Sequence, residues 1–205
     1  MIVIGITGSI GSGKSEVAAA FHQEGAAILN ADEIAKATLK KGEEGYKVLT
    51  AVFGEEINDG RGCIDKQKLA SIIFSDREKL KKLNALIHPI VHNRIKEKIT
   101  ELRKMNPDTV IVIDAPLLIE AGFHKMVDKV ILVKCSERKA FNRAAKRLGV
   151  TLEEIKKRFS SQLPFSAKKE FADVVILNDG TVQQLREKAH DLYLNITGKE
   201  EKQKK

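Results

Sequence analysis

The segment from Gly8 to Ser15 has the composition and spacing of a phosphate-binding loop. It reads GSIGSGKS and fits the pattern G-x-x-x-x-G-K-[ST], between an apolar strand-like run and a helical stretch. Glycines let the backbone N–H groups point into one concavity, and the positive end of the following helix adds to the attraction for phosphate. We therefore expect the phosphates of a nucleotide to bind Gly11, Ser12, Gly13, Lys14 and Ser15.

Two residues of this region also suggest how charge on the phosphates would be balanced. The ammonium of Lys14 would neutralise β- and γ-phosphate oxygens, and the hydroxyl of Ser15 would ligate magnesium. A second magnesium-side carboxylate could come from Asp114, which ends the apolar run TVIVID. Asp114 could equally cap the turn that follows that strand, and the sequence leaves both interpretations open.

Asp32 follows a second short apolar run, Ala26 to Asn30. Ligands of open α/β sheets bind beyond the carboxyl ends of the strands, so a carboxylate at this position is a candidate catalytic group. The alternative is that Asp32 caps a helix running from Glu33 to about Leu39. The two roles do not exclude each other.

A basic stretch from Glu137 to Lys169 contains Arg143 and Arg147, four residues apart on a predicted helix. They therefore share one helix face. The first interpretation is a solvated basic surface. The second is a lid whose guanidinium groups close over a triphosphate, because the planar fork of arginine meets phosphate oxygens in pairs.

The order of apolar runs predicts the architecture. Short strands alternating with helices indicate a parallel sheet covered on both faces. Between the second and third strands, residues 33–103 show helical patterning, with one helix ending at His88 and another opened by Pro89. The predicted strands are Ile2–Ile6, Ala26–Asn30, Thr109–Asp114, Lys129–Lys134 and Val174–Leu177.

Composition narrows the class of protein. The chain has 205 residues, 42% of them hydrophobic and 5% aromatic, with a net charge of +8. It contains no apolar run near the ~20 residues that span a bilayer. Its two cysteines, Cys63 and Cys135, have no metal-binding spacing. We therefore expect reduced thiols and a cytoplasmic protein. Few aromatics, without basic interleaving, argue against nucleic acid as the ligand. The oligomeric state is not indicated.

Taken together, these motifs resemble the dephospho-CoA kinase family over nearly the whole length, from Ile4 to about Leu192. The family's opening, G-x-T-G-x-I-G-S-G-K-S, is present as GITGSIGSGKS from Gly5 to Ser15. Its later motifs follow in order as NAD at Asn30–Asp32, LNALIHP at Leu83–Pro89, PLLIE at Pro116–Glu120, the pair Arg143 and Arg147, then Gln162 and Asn178.

The resemblance implies transfer of the γ-phosphoryl group of ATP, with Mg²⁺, to the ribose 3′-hydroxyl of dephospho-CoA. It implies an α/β, three-layer P-loop NTPase core, adenylate-kinase-like, formed by residues 1–31, 102–135 and 171–198. Residues 32–101 would be a helical acceptor-binding region, 136–170 a helical lid and 199–205 a disordered tail. It further implies catalytic roles for Asp32, Lys14 and Arg143, ATP contacts from Glu16, Arg143 and Arg147 besides the loop, and acceptor contacts from Asp32, Lys66, His88, Pro116, Leu117 and Leu118.

Several positions depart from the family pattern. Asn30 replaces the first Asp of D-A-D, Glu16 replaces a threonine, and lysine stands for arginine at Lys36, Lys66 and Lys168. Lysine cannot make a paired fork contact, which puts acceptor affinity or lid closure in question. Two rival functions are another small-molecule kinase of the same fold, and a non-catalytic P-loop module that binds nucleic acid.

Overall fold

Five parallel strands form one sheet in the order β2-β3-β1-β4-β5. The computed structural model describes residues 2–61, 63–74 and 76–198. Strand β1 lies at the centre, between β3 and β4, and is buried along its whole length. Continuous apolar strands of this kind are typical of sheets covered on both faces. The strands are β1 Val3–Gly8, β2 Ala27–Asn30, β3 Ile111–Asp114, β4 Lys129–Lys134 and β5 Val174–Leu177.

Helices connect consecutive strands, as parallel pairing requires. They are α1 Lys14–Gln23, α2 Ala31–Thr38, α3 Glu44–Phe53, α4 Lys66–Phe74, α5 Arg77–Met105, α6 Glu137–Leu148, α7 Leu152–Ser160, α8 Phe165–Lys169 and α9 Val182–Thr197. Short 3₁₀ segments occur at Glu55–Ile57 and Phe123–Met126. Within the described ranges, no helix is both long and apolar enough to cross a bilayer.

The chain divides into two compact units. The first unit comprises the described residues of Met1–Leu29 and Leu102–Lys205. Its core packs the strands against α1 and α9, where the rings of Phe21 and Tyr193 meet edge to face at a centroid distance of 5.2 Å. The Tyr193 hydroxyl donates a hydrogen bond to the carbonyl oxygen of Glu24. These contacts fix the helix that follows the phosphate-binding loop.

The second unit, Asn30–Glu101, is helical. It contains α2, α3, α4 and most of α5, and Leu49, Ile57 and Ile95 are fully buried. A hydrogen-bonded ion pair joins Arg94 of α5 to Glu43, which precedes α3, at 2.9 Å. Glu43 raises the pKa of Arg94, consistent with this pairing.

The predicted helix boundary at His88–Pro89 is wrong. Helix α5 continues through Pro89, from Arg77 to Met105. A proline inside a helix removes one i→i−4 hydrogen bond and favours a kink, but it need not end the helix when packing holds both sides. Ile87, Ile90 and Val91 are buried on either side of the proline. Tertiary packing has therefore overridden the local signal.

We expect the central sheet to dominate the stability of the first unit. Ile131 in β4 is fully buried, so Ile131→Ala should lower the free energy of unfolding by about 3 kcal/mol through lost burial and a residual cavity. The matched control is Leu177→Ala in β5, whose residue is 53% exposed and should cost less than about 1 kcal/mol. Urea denaturation of the three proteins measures both values. Equal losses in the two variants would contradict this assignment of the core.

Candidate active site

The loop between β1 and α1 depends on glycine at two points. Gly11 and Gly13 have φ angles of 75° and 104°, in the left-handed region that side chains disfavour. A Cβ on Gly11 would lie 2.1 Å from the carbonyl oxygen of Ala140, and one on Gly13 would lie 2.2 Å from Nδ2 of Asn178. Glycine is thus required both by the backbone conformation and by the close approach of later segments.

Lys14 begins α1 and is almost completely buried. Its Nζ donates to the carbonyl oxygen of Ser9 at 3.1 Å, and the same oxygen accepts from the N–H of Ser12. A buried ammonium is costly unless a polar partner compensates it. The structure therefore holds the Lys14 ammonium against the backbone of the loop.

Three side chains from distant parts of the chain hold the loop in place. Asn178, which follows β5, donates from Nδ2 to the carbonyl oxygen of Ser12 at 2.7 Å. Gln162, which follows α7, accepts from the N–H of Ile10 at 3.2 Å. The thiol of Cys135 contacts the carbonyl oxygen of Gly11 at 3.8 Å. Gln162 and Asn178 belong to the family motif, but no pattern in the sequence assigns them, or Cys135, to the support of the loop.

Helix α6, which contains Arg143, approaches the loop through the carbonyl oxygen of Ala140, beside the position that a Cβ on Gly11 would take. Burial raises the pKa of the Cys135 thiol, and the positive charge of Arg143 opposes that rise. Arg143 is half-buried in α6 and Arg147, one turn later, is exposed.

Glu16, in the first turn of α1, is paired with a residue that the sequence did not single out. Its Oε2 accepts from Nε and a terminal nitrogen of Arg186 at 3.1 and 2.9 Å. Arg186 lies in α9, which packs along α1. The negative charge that departs from the family pattern is therefore accompanied by its own counter-charge.

Comparison with known proteins identifies the family. A family model described as dephospho-CoA kinase matches residues 2–184. The chain belongs to the dephospho-CoA kinase family. A protein named dephospho-CoA kinase from Aquifex aeolicus is 38% identical over 194 residues, covering 95% of this chain and 97% of the relative. Another of the same name, from Geobacillus kaustophilus, is 40% identical over 185 residues, covering 90% and 92%.

Solved structures, one of them a named dephospho-CoA kinase, share the fold of this chain. The dephospho-CoA kinase from Campylobacter jejuni superposes with a TM-score of 0.70 at 25% identity, covering 96% of this chain and 97% of that one. A crystal structure from Thermus thermophilus gives a TM-score of 0.79 at 32% identity, covering 97% and 98%. The shikimate kinase from Acinetobacter baumannii, with a TM-score of 0.51 at 14% identity over 98% and 96%, shares the fold.

Residues that could hold magnesium are present in the first unit. Asp114 ends β3 in register with Ile6 of β1 and is buried, while Ser15 follows Lys14 in α1 and its side chain is exposed. A carboxylate and a hydroxyl are the oxygen ligands that Mg²⁺ takes beside phosphate. The donor chemistry thus fits magnesium.

The turn after β3 contains three predicted acceptor-binding residues of the dephospho-CoA kinase pattern. The carbonyl oxygen of Pro116 accepts from Nζ of Lys168 at 2.6 Å and from the hydroxyl of Thr7 at 3.3 Å. Leu117 is half-buried, and Leu118 is fully buried against Gly5. The acceptor contacts stay predictions, but this turn is firmly bonded to its surroundings.

Three further predicted residues belong to the second unit. Asp32 is exposed in the first turn of α2, and His88 is half-buried in α5. The side chain of Lys66, at the start of α4, and the predicted tail at residues 199–205 lie outside what the structure describes. The alternative interpretation, in which Asp32 caps α2, is wrong, because the helix begins earlier and the side chain of Asn30 accepts from the N–H of Glu33 at 3.0 Å.

We expect Arg186→Ala to weaken ATP binding although Arg186 lies outside the loop. Without its counter-charge, the Glu16 carboxylate would repel phosphates at the same helix terminus. Because the pair is exposed and worth at most about 1 kcal/mol, KM for ATP should rise roughly two- to fivefold and respond to salt.

The test of this prediction uses a second variant and a control. The double variant Glu16→Thr with Arg186→Ala should restore KM, since both charges are then removed. Arg103→Ala removes an exposed arginine near the end of α5 and should have no effect. An unchanged KM for ATP in Arg186→Ala would show that the charge of Glu16 does not affect nucleotide binding.

Proposed function

We propose that this protein transfers the γ-phosphoryl group of ATP to the ribose 3′-hydroxyl of dephospho-CoA, forming CoA and ADP. The observation that carries the proposal is the glycine-shaped loop with the Lys14 ammonium held against its backbone, in a chain whose family match spans residues 2–184. Phosphoryl transfer needs positioning and neutralisation of charge more than covalent catalysis, and this loop supplies both.

The loop would bind the β- and γ-phosphates. The loop would present backbone N–H groups and the positive end of α1 to the anion, and Lys14 would move its hydrogen bond from Ser9 to phosphate oxygens. Ser15 and Asp114 would hold magnesium, which neutralises the charge of the phosphates. Glu16 borders the phosphates while its own charge is balanced by Arg186.

Asp32 would orient the acceptor hydroxyl and receive its proton as the new P–O bond forms. Its side chain is exposed at the start of α2, and the capping position of that helix is filled by Asn30. The neutral amide of Asn30 replaces an acid of the family pattern, and its capping bond gives it a structural function here. Asp32 would therefore act as the carboxylate of this motif in catalysis.

Helices α6 to α8 would form the lid over ATP. Arg143 and Arg147 would contact the triphosphate from α6, where Arg143 would stabilise charge in the transition state. The predicted lid is internally packed, since the ring centroids of Phe141 in α6 and Phe159 in α7 are 5.1 Å apart. A closed lid excludes water, which would otherwise accept the phosphoryl group in place of the acceptor.

The acceptor itself would be contacted by the residues that the resemblance implies, which are Lys66, His88, Pro116, Leu117 and Leu118. This assignment rests on the family motifs that these residues occupy. It separates the two substrates, with ATP on the loop and dephospho-CoA on residues that the loop motif does not include. An isolated phosphate-binding loop would not show such a second set.

The experiment is a substrate panel with ATP and Mg²⁺. ADP release is measured with dephospho-CoA, with nucleosides and nucleotides, and with shikimate, and the product is identified by its mass. We expect ADP and CoA to form in equal amounts with dephospho-CoA and little turnover with the others. A preference for a different alcohol would refute the proposed acceptor, and binding of nucleic acid at physiological salt without turnover would favour a non-catalytic function.

We expect Asp32→Asn to abolish most turnover while leaving nucleotide affinity near normal. The amide keeps the shape of the side chain but cannot accept the hydroxyl proton, so kcat should fall by about a hundredfold to ten-thousandfold. Glu33→Gln neutralises the adjacent exposed carboxylate of the same helical turn and is the matched control. Steady-state kinetics with dephospho-CoA measure both. Turnover of Asp32→Asn equal to that of the control would remove Asp32 from the chemistry.

A further inference from the structure

A buried ion pair lies between the end of the predicted lid and the turn after β3. Nζ of Lys168 lies 2.9 Å from Oε1 of Glu120, and their side chains are 2% and 16% exposed. Burial lowers the pKa of Lys168, and the charge and hydrogen bond of Glu120 oppose this shift. Lysine and glutamate are rarely buried to this extent, and then only as partners.

The same two side chains hold the backbone of two segments. Lys168 donates a second hydrogen bond to the carbonyl oxygen of Pro116 at 2.6 Å. Oε1 of Glu120 also accepts from the N–H of Leu163 at 2.9 Å. We call residues 162–169 the return segment, because it brings the chain from α7 back towards β5. The pair therefore bonds the return segment, at both Leu163 and Lys168, to the turn at residues 116–120.

Each of these segments is also bonded to the phosphate-binding region. At the start of the return segment, Gln162 accepts from the N–H of Ile10 within the loop. On the other side, the hydroxyl of Thr7 near the end of β1 donates to the carbonyl oxygen of Pro116. A closed circuit of hydrogen bonds thus links β1, the loop, the return segment and the turn.

Stability alone is a weak reason for such a pair. Desolvating two charges costs several kcal/mol per ion, and well-packed apolar residues often replace buried ion pairs without loss. Here the arrangement is also incomplete, because Oε2 of Glu120 is buried and has no hydrogen-bond partner among the described residues. The pair does, however, give directional bonds to Pro116 and Leu163, which apolar side chains could not provide.

We propose that Lys168 and Glu120 are positioning residues for phosphoryl transfer, which fix the base of the lid to the Pro116–Glu120 turn. Their effect on the reaction is indirect, through Gln162 at the loop and Pro116 at the predicted acceptor site. With the base fixed, closure is confined to α6 and α7, which present Arg143 and Arg147. This inference rests on the proposed function and adds to it the ion pair that holds the base of the lid in a fixed position relative to the acceptor.

The expected consequence of loosening the pair is a defect in transfer, with water replacing the acceptor. Misplacement of reacting groups by about 1 Å can reduce the rate by a factor of about a hundred. A lid whose base moves would also admit water, so ATP hydrolysis should rise relative to transfer. A purely structural pair would lower thermal stability without altering that ratio.

The test variant is Lys168→Met with Glu120→Gln. It removes both charges together and leaves no buried ion without a partner. The variant is assayed at a temperature at which it is fully folded. We expect kcat for transfer to fall about tenfold or more and the ratio of hydrolysis to transfer to rise several-fold. KM for ATP should stay within about twofold of its starting value. Lys169→Ala, which removes the adjacent exposed lysine, should change none of these quantities.

Two further variants keep the test decisive. Lys168→Arg should retain the starting ratio of hydrolysis to transfer, since the guanidinium fork can reach both Glu120 oxygens. Glu120→Asp keeps both charges but draws the carboxylate back by one methylene, so it should raise the ratio of hydrolysis to transfer. It replaces the double variant as the test of the inference if the double variant does not fold. An unchanged kcat and ratio in the double variant, or in Glu120→Asp in its place, overturns the inference.

The unaltered protein separates this inference from the proposed function. If it fails to phosphorylate dephospho-CoA but accepts another alcohol, the proposed function is wrong and the same variants are assayed with that acceptor. If it phosphorylates dephospho-CoA and the variants behave like it, the proposed function stands and the positioning role is wrong.

Discussion

The structure depends on one constraint, which is that the backbone of the loop between β1 and α1 must curl where there is no space for a side chain. Gly11 and Gly13 meet this constraint through left-handed φ angles, and the close approach of Ala140 and Asn178 leaves no space for a Cβ. The conformation of the loop is therefore determined both by its own glycines and by segments that lie more than a hundred residues later in the chain. The central position of β1 in the sheet makes those approaches possible, since β4 lies next to it and β5 follows.

Charge around the loop is balanced locally. Lys14 is held by a loop carbonyl, Glu16 by Arg186, and the buried Lys168 by Glu120 and Pro116. Each pairing gives the charged side chain a polar partner, which reduces the cost of burying Lys14 and Lys168. Two of these charged residues, Glu16 and Lys168, are departures from the family pattern, and in both cases the structure supplies a partner that accounts for the residue present.

Local signals predicted much of this protein well, and failed where packing decides. The strands and the start of α1 follow from apolar runs and from the motif, and the sheet is parallel as predicted. The boundary at Pro89 was wrong because buried neighbours keep α5 continuous, and the cap of α2 is Asn30 instead of Asp32 because the helix begins two residues earlier than the pattern indicated. Both errors concern the ends of helices, where alternatives differ by a single hydrogen bond.

The sequence by itself determined the family, the phosphate-binding loop and the positions of the strands along the chain, because each is written in contiguous residues whose types and spacing have a direct physical meaning. Only the tertiary structure decided which side chains support the loop. Asn178, Gln162, Arg186 and the pair of Glu120 with Lys168 reach their partners across 43 or more positions of the chain. No local pattern encodes such a contact, because it depends on the order of strands and the return path of the helices.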